Sequence, residues 1–341
     1  MPQTVLVTGS TGYIAKHIVL QLLNGGYTVV GSLRSPARED ELRAAIAPHL
    51  DDPAALERLR IVVLDLTSDS GWDAAMEGVD VLMHTASPFP LAQPKDENDL
   101  IRPAVDGALR AVQAAQRAGV RRVIMTSSTV AIMTGDLPAD QTVFDETNWS
   151  DMTHPSATPY AKSKTMAEQV VWDWNRDQQP DMQITMINPS FVQGPPLDAH
   201  FGSSIGLIER LMRGKDPMLP RVGFPCVDVR DVALMHIRAM QRPESIAKRF
   251  IGADRFIWLA DMGALLKTDH PQRKIPTRTA PDFLVRILAL FDGEIRSTLP
   301  VLGHRIEVTA DAARQVLGLE FRDTRDSIRE SATFLADNDL I

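Results

Sequence analysis

The stretch "TVLVTGSTGYIAKHIVLQLL", residues 4–23, decides how the rest of the chain is read. It opens as an apolar β-run, passes through a loop of small residues and continues as an amphipathic helix with Ile14, Ile18 and Leu22 on one side. Gly9, Gly12 and Ala15 read G-x-x-G-x-x-A, one residue longer than the common dinucleotide fingerprint G-x-G-x-x-G. The context suits a nucleotide all the same. Glycine permits positive φ, backbone N–H groups at a helix N-terminus suit a pyrophosphate, and a small third residue lets the helix lie close on the strand. A strand–turn–helix without any ligand would show the same residues, so the loop gains its meaning from the strands and motifs beyond it.

Beyond the loop, strands and helices alternate. The runs "TVVGSL" (28–33), "RIVVL" (60–64), "DVLMHT" (80–85), "RVIMTS" (122–127) and "QITMIN" (183–188) are nearly continuous in apolar residues, as parallel strands buried on both faces read. Between two of them, residues 99–118 carry Leu100, Ile101, Val105, Leu109 and Val112 at helical spacing, with Pro103 expected in the first turn and Gly119 as the stop. The order predicts an α/β fold with a doubly wound parallel sheet, a Rossmann arrangement, over residues 1–188. A strand–helix unit, "CVDVRDVALMHIRAM", falls in a segment expected to return to it at about 225–258. Residues 189–224 and 259–341, with proline- and glycine-rich loops and short helices, are expected to form a smaller, interleaved C-terminal substrate domain.

Composition bounds the function. The 341 residues are 44% apolar and 23% charged with a net charge of −8, signs interspersed, which argues against nucleic acid as a general partner. The one cysteine, Cys226, excludes an intrachain disulfide and reads as a small buried filler. The start "MPQTVLVTGS" lacks the basic, then apolar, form of a secretion signal, and "FLVRILALF" (283–291) is too short to span a bilayer and carries Arg286. That segment reads as a buried or lid helix, and the protein as cytoplasmic, without a membrane partner, a monomer or homodimer. The histidines form no H-x-x-x-H or Cys/His cluster, so no metal is expected; His84 and His236 read as packing or capping residues, and Trp72, Trp172 and Trp174 as core.

The end of the second strand selects the dinucleotide. NAD sites place an acid about 20 residues past the glycines to hold the ribose 2′-hydroxyl. Here "VVGSLRSPAR" has no acid before Glu39, and Arg34 and Arg38 stand where a 2′-phosphate would need a bidentate donor. This favours NADP(H), although two solvated surface arginines would look alike. In "TPYAKSKTMAEQVVWDW", Tyr160 and Lys164 are four residues apart, on one face of a helix suggested by Met166, Val170 and Trp174. An adjacent ammonium would lower the tyrosine pKa and suit it to proton transfer. The run "RVIMTSS" ends in Thr126, Ser127 and Ser128 at the carboxyl edge, where a hydroxyl could hold a carbonyl oxygen. Each signal alone is weak; their order together is not. The acids of "VFDETNWSD", Asp145 and Glu146, and its Trp149, read as shaping the loop before the catalytic helix.

With these motifs the chain resembles the extended short-chain dehydrogenase/reductases, nearest their branch of dihydroflavonol, cinnamoyl-CoA and aldehyde/ketone reductases. The likeness spans "VTGSTGYIAKH", "SLRS", "DLTSDSGWDAAMEGVDVLMHTASPFP", "RRVIMTSS", "VFDETNWSD", "YAKSKTMAE", "INPSFVQGP" and "VDVRDVA". It implies Ser128 as the donor to the substrate carbonyl, Tyr160 as the proton donor and Lys164 as the residue that binds the nicotinamide ribose and tunes the tyrosine. It also implies that Gly9, Ser10, Thr11, Gly12, Tyr13 and Ile14 face the pyrophosphate and Arg34 the 2′-phosphate. Asp65 and Leu66 would border the adenine, Thr85, Ala86 and Ser87 line the nucleotide channel, and Pro189, Ser190, Phe191 and Val192 pass near the nicotinamide, with Ser204 a weaker candidate. The chain departs from the family at Lys16, where a small residue is usual, at Arg38, which would replace a basic residue placed otherwise, and at Val105-Asp106-Gly107, where many members have a relay asparagine.

The function expected is an NADPH-dependent reductase of an aldehyde or ketone carbonyl on a small, partly apolar substrate. Its pocket would be walled by Phe89, Pro90, Thr129, Phe191 and Phe224. Two rivals use the same motifs: a sugar-nucleotide epimerase or dehydratase, and a non-catalytic NADP(H)-sensing protein.

Overall fold

Val5 and Val7 point to one face of the first strand and Leu6 to the other, and all three are fully buried, each face in its own apolar cluster. That is what a strand covered by helices on both sides requires. The structure, a computed structural model, describes residues 2–88, 96–178, 181–291 and 293–341, without the side chains of Glu294 and Ser297. Its first half runs β1 (Thr4–Val7), α1 (Tyr13–Asn24), β2 (Thr28–Leu33), α2 (Glu39–Ile46), β3 (Leu59–Val63), α3 (Trp72–Ala75), β4 (Val81–His84), α4 (Asn98–Arg117), β5 (Arg122–Thr126), α5 (Pro159–Gln178) and β6 (Gln183–Pro189). The remainder is β7 (Phe191–Gln193), α6 (Ser203–Arg213), β8 (Gly223–Asp228), α7 (Val229–Gln241), β9 (Lys248–Gly252), β10 (Arg255–Trp258), α8 (Leu259–Asp269), α9 (Asp282–Leu288), α10 (Gly293–Thr298), α11 (Asp311–Leu317) and α12 (Thr324–Asp337).

The large sheet has seven parallel strands in the order β3-β2-β1-β4-β5-β6-β9. Crossovers run outward in both directions from β1, so the sheet is doubly wound and its switch point lies between β1 and β4. Open α/β sheets take ligands in the crevice beyond the carboxyl ends of the strands at such a point. One face is covered by α1, α2, α7 and α11, the other by α3, α4 and α5. Ile18 and Leu22 of α1 are fully buried there, and burying each such side chain contributes about 1.5–3 kcal/mol. Gly119 ends α4 with φ +75°, and the Val120 N–H closes the turn on the Ala115 carbonyl at 2.8 Å.

The structure differs from the sequence reading in several details. Pro103 is the sixth residue of α4, past the first turn, where the missing N–H costs one helical bond. On α5 the buried residues include Lys164, Thr165, Glu168, Val171 and Trp174, while Met166 is exposed, so the inward face is partly polar. Of the segment 225–258, β9 joins the large sheet and α7 packs on it, whereas β8 pairs with β10 on one side and β7 on the other in a separate three-stranded sheet. That small sheet packs with α6, α8 and α12, while α11 lies back against α7 and β9. Among the described residues no helix is long and apolar enough to cross a membrane.

Candidate active site

The glycine loop is built into the crevice at the switch point. Gly9 has φ +66°, and a Cβ there would come within 3.0 Å of the Ala86 side chain. Its N–H donates to the Ser32 hydroxyl at 3.0 Å, and the Ser10 N–H to the Ser32 carbonyl at 2.9 Å, so the loop is held against the end of β2. Thr8 secures the opposite wall. Its hydroxyl accepts the N–H groups of Thr85 and Ala86, each at 3.1 Å, which commits its own proton to Nδ1 of His84 at 3.0 Å. His84 is fully buried, and burial, then Lys164, depress its pKa to about 3, so it remains a neutral acceptor. Residues 9–14 and 85–87 are thus brought together, with Gly12 as the N-cap of α1.

Arg34 follows β2, is exposed, and makes no hydrogen bond or ion pair among the described residues. The Asp65 carboxylate accepts both the N–H and the hydroxyl of Thr67 at 2.7 Å, bonds that, with Arg34 nearby, hold it below the usual carboxylate range. Leu66 packs beneath Gly107, where a Cβ would approach within 3.0 Å. A side chain at position 107 would therefore press on Leu66, so close packing favours glycine there.

The catalytic candidates meet at the carboxyl edge of β5. Ser128 caps the short turn 129–131, its hydroxyl accepting the Val130 N–H at 3.3 Å, and it hydrogen-bonds Tyr160 on the first turn of α5. Lys164 lies one turn further along the same buried face. Burial pushes the Tyr160 hydroxyl up to about 12, only partly offset by Ser128, and brings Lys164 down to about 8, with Glu168 opposing. Burial is the dominant influence on Tyr160 and the Ser128 hydrogen bond the opposing one; the lowering expected from Lys164 is not part of that balance. β6 closes the site, as Asn188 donates to the Ser128 carbonyl at 3.2 Å and the Ser190 N–H to the Gly252 carbonyl at 2.9 Å. The hydroxyls of Ser127 and Ser190 are buried without a protein partner among the described residues, polar capacity that a ligand's polar groups would satisfy. With the glycine cradle and unpaired Arg34, these groups fit a phosphorylated dinucleotide.

Other candidates are placed differently. Lys16 is buried and paired with Asp198, with Glu41 Oε1 at 3.5 Å, so its ammonium is already neutralised inside the fold. Glu41, Asp198 and His200 bring three potential ligand atoms within 4.8 Å, and Lys16 supplies the positive charge among them. Arg38 is engaged bidentately by Glu41 at 2.8 and 2.6 Å rather than standing free for a phosphate. Tyr13 turns its hydroxyl to the Gly194 carbonyl at 2.6 Å, and His17 meets the Pro195 carbonyl at 3.1 Å, so three side chains of α1 grip the loop after β7. His236 joins the Thr126 hydroxyl to the Val232 carbonyl, 2.7 Å each, and Cys226 is buried, which pushes its thiol pKa up. Glu146 accepts the Ile251 N–H at 3.0 Å and Trp149 lies under Arg249, both as loop-shaping residues.

Of the expected pocket walls, Phe191 and Phe224 stack at 4.6 Å between ring centroids and 24° between planes. Thr129 is buried inside its turn, and Phe89 and Pro90 lie outside the described residues. Ser204 is the second residue of α6. The 283–291 segment is not a buried helix: Val285 and Ala289 point inward, but Phe283, Ile287, Leu288, Leu290 and Phe291 are exposed. Sequence reasoning missed Thr8, Ser32, Glu168, Asn188 and Arg249; only Glu168, one helical turn past Lys164, left a local trace.

Residues 5–251 match the NAD dependent epimerase/dehydratase family, and the chain belongs to it, as an extended short-chain dehydrogenase/reductase. Within it, the chain is an oxidoreductase of the reductase kind. It is 30% identical to ketoreductase azaE of Aspergillus niger, over 98% of this chain and 97% of that one. It is 34% identical to cinnamoyl-CoA reductase 1 of Petunia hybrida, over 81% and 80%. The crystal structure of yeast methylglyoxal/isovaleraldehyde reductase complexed with NADPH is similar with a TM-score of 0.80 and 27% identity, over 99% of this chain and 100% of that one.

Proposed function

We propose that this reductase uses NADPH to reduce the carbonyl of an aldehyde or ketone bearing an apolar or aromatic group, with Tyr160 as proton donor. The observation that carries the reading is the Ser128–Tyr160 hydroxyl pair beside buried Lys164 at the carboxyl edge of the sheet. When bound, NADPH would supply the hydride to the carbonyl carbon. Tyr160 delivers its phenolic proton to the carbonyl oxygen, and a hydroxyl pushed up to about 12 by burial holds that proton until negative charge develops beside it. Ser128 donates a hydrogen bond to the same oxygen; one such donor is worth about 10²–10³ in rate. The Lys164 ammonium stabilises the phenolate left behind.

The glycine loop of residues 9–14 would hold the pyrophosphate and Arg34 the 2′-phosphate. Asp65 and Leu66 would flank the adenine, and 85–87 and 189–192 would line the nucleotide channel. The preference for NADPH is supported by the free Arg34 and by the lack of an acid before Glu39, even though Arg38 is held by Glu41. Phe191, which stacks on Phe224, lies three residues past Asn188, which contacts Ser128, and the ring pair favours an apolar or aromatic substituent.

The test is NADPH oxidation against aromatic and aliphatic aldehydes, α-ketoesters and diketones, with NADH and Tyr160→Phe alongside. NADPH-dependent turnover that vanishes in Tyr160→Phe is the expected result. Undiminished turnover in that variant would refute the proton-donor role. Silence across the panel, with NAD retained stoichiometrically by the purified protein, would transfer the assignment to an epimerase.

A further inference from the structure

Beneath Ser128, Tyr160 and Lys164 lies a buried polar network that the proposed reaction does not itself consume. At its centre is Glu168, one turn past Lys164 on α5 and fully buried. Its carboxylate accepts from Asn188 Nδ2 at 2.8 Å, Arg249 Nε at 2.6 Å and Trp172 Nε1 at 3.3 Å. The Asn188 amide also donates to the Ser128 carbonyl, and since both its partners are acceptors the orientation of the amide is determined. Arg249, from β9, donates to the carbonyls of Glu146 at 3.1 Å, Asn148 at 2.6 Å and Ala131 at 3.3 Å. One carboxylate thereby ties together the catalytic helix, the strand below it, the turn that Ser128 caps and the loop that leads into the helix.

Stability alone does not call for this arrangement, because a buried ion pair is often no better than apolar residues of the same volume. We propose that Glu168, acting through Asn188 and Arg249, is a positioning residue that fixes Ser128 against Tyr160 and sets a negative charge one turn from Lys164. The inference rests on the reading of Tyr160 as the proton donor. The charge matters because Lys164 is costly to keep protonated. The groups that face it are Tyr160 and Glu168 on its own helix and His84 from β4, with Arg249 from β9 behind Glu168; the buried face of α4 is uncharged. His84 is neutral, so Glu168 is the group that favours the ammonium. Removing that carboxylate also leaves Arg249 uncompensated, which disfavours the ammonium further.

The experiment compares Asn188→Ala, Glu168→Asp and Glu168→Gln in the full chain by NADPH-dependent turnover from pH 6 to 10, with NADPH binding and thermal melting measured on each. Asn188→Ala cuts the Ser128 link and keeps the ion pair; it should lose about 10-fold in kcat with KM for NADPH and pH profile unchanged. Glu168→Gln should lower kcat and move the alkaline limb of the profile to lower pH by about one pH unit. Glu168→Asp keeps the charge, so it should lose kcat while leaving the limb in place. Should Glu168→Gln fail to fold, Asn188→Ala and Glu168→Asp still decide the matter. Wild-type kcat in Asn188→Ala, or a limb that moves equally in the Asp and Gln variants, overturns the proposal. Tyr160→Phe run in parallel separates the two claims: full activity there defeats the proton-donor reading, whereas an inactive Tyr160→Phe beside unaltered Asn188 and Glu168 variants defeats the positioning role alone.

Discussion

Lys164→Met should make the nucleotide-free protein more stable while abolishing turnover. Lys164 is buried on the inner face of α5, and burial brings its pKa from 10.5 down to about 8. The displacement corresponds to about 3 kcal/mol of destabilisation. Methionine has a similar length and no charge, and Glu168 keeps its bonds to Asn188 and Arg249 when the lysine is gone. For a base whose folded pKa is depressed, the cost is fully present below the folded value and disappears as pH rises towards the unfolded one. The advantage of Lys164→Met is therefore complete at pH 7 and shrinks between about pH 8 and 10.5. Thermal melting of both proteins without nucleotide, at steps from pH 7 to 10, measures it; a chain of this size should gain about 5 °C at pH 7. A variant that melts below wild type at pH 7, or a gap that stays constant up to pH 10, would refute the claim that Lys164 is held charged at a structural cost.

Arg34→Ala should lower kcat/KM for NADPH at least 10-fold, as expected for loss of a charge-assisted phosphate contact, and leave that for NADH nearly unchanged; an equal fall with both cofactors would count against a 2′-phosphate role. Gly9→Ala puts a Cβ on a residue with φ +66° and within 3.0 Å of Ala86. The left-handed backbone alone costs about 1–2 kcal/mol, so a lower melting temperature and weaker NADPH binding by fluorescence titration are expected, and neither changing would contradict the cradle. Phe191→Ala and Phe224→Ala break the aromatic stack and should reduce turnover of aromatic aldehydes more than of short aliphatic ones; a substrate profile identical to wild type would remove these rings from the pocket.

The parts of the fold that are legible in the sequence depend on short-range pattern. Six strands of the large sheet are apolar runs, and β1 with its glycine loop and α1 announces the nucleotide crevice. The seventh strand, β9, reads "KRFIG"; it opens with two basic residues, one of which, Arg249, turns inward to Glu168, so hydropathy conceals it. The strand of "CVDVRDVALMHIRAM" is more apolar and more conspicuous, yet it pairs with β7 and β10 in the small sheet. Helix α5 is recognisable from Met166, Val170 and Trp174, but its inner face carries Lys164 and Glu168, because chemistry and not apolar packing occupies it. Tyr160 and Lys164 are legible because their relation is one helical turn. Asn188 and Arg249 lie 20 and 81 residues from Glu168, and only the folded sheet makes them neighbours. Likewise, nearness to Arg34 in sequence makes Arg38 a phosphate candidate, whereas Glu41, three residues on, claims it in space.

The grip of Tyr13, Lys16 and His17 on residues 194–200 has a consequence for how modular this enzyme is. The helix that begins at the glycine loop is bolted to the segment that leads towards α6, so the two regions share a joint made of side chains, not a linker. A chimera that transplants the C-terminal region of another reductase onto residues 1–188 would strand a buried lysine without its aspartate. Exchanging substrate regions here therefore means carrying that joint across as a unit, with α1 and the 194–200 loop taken from the same parent.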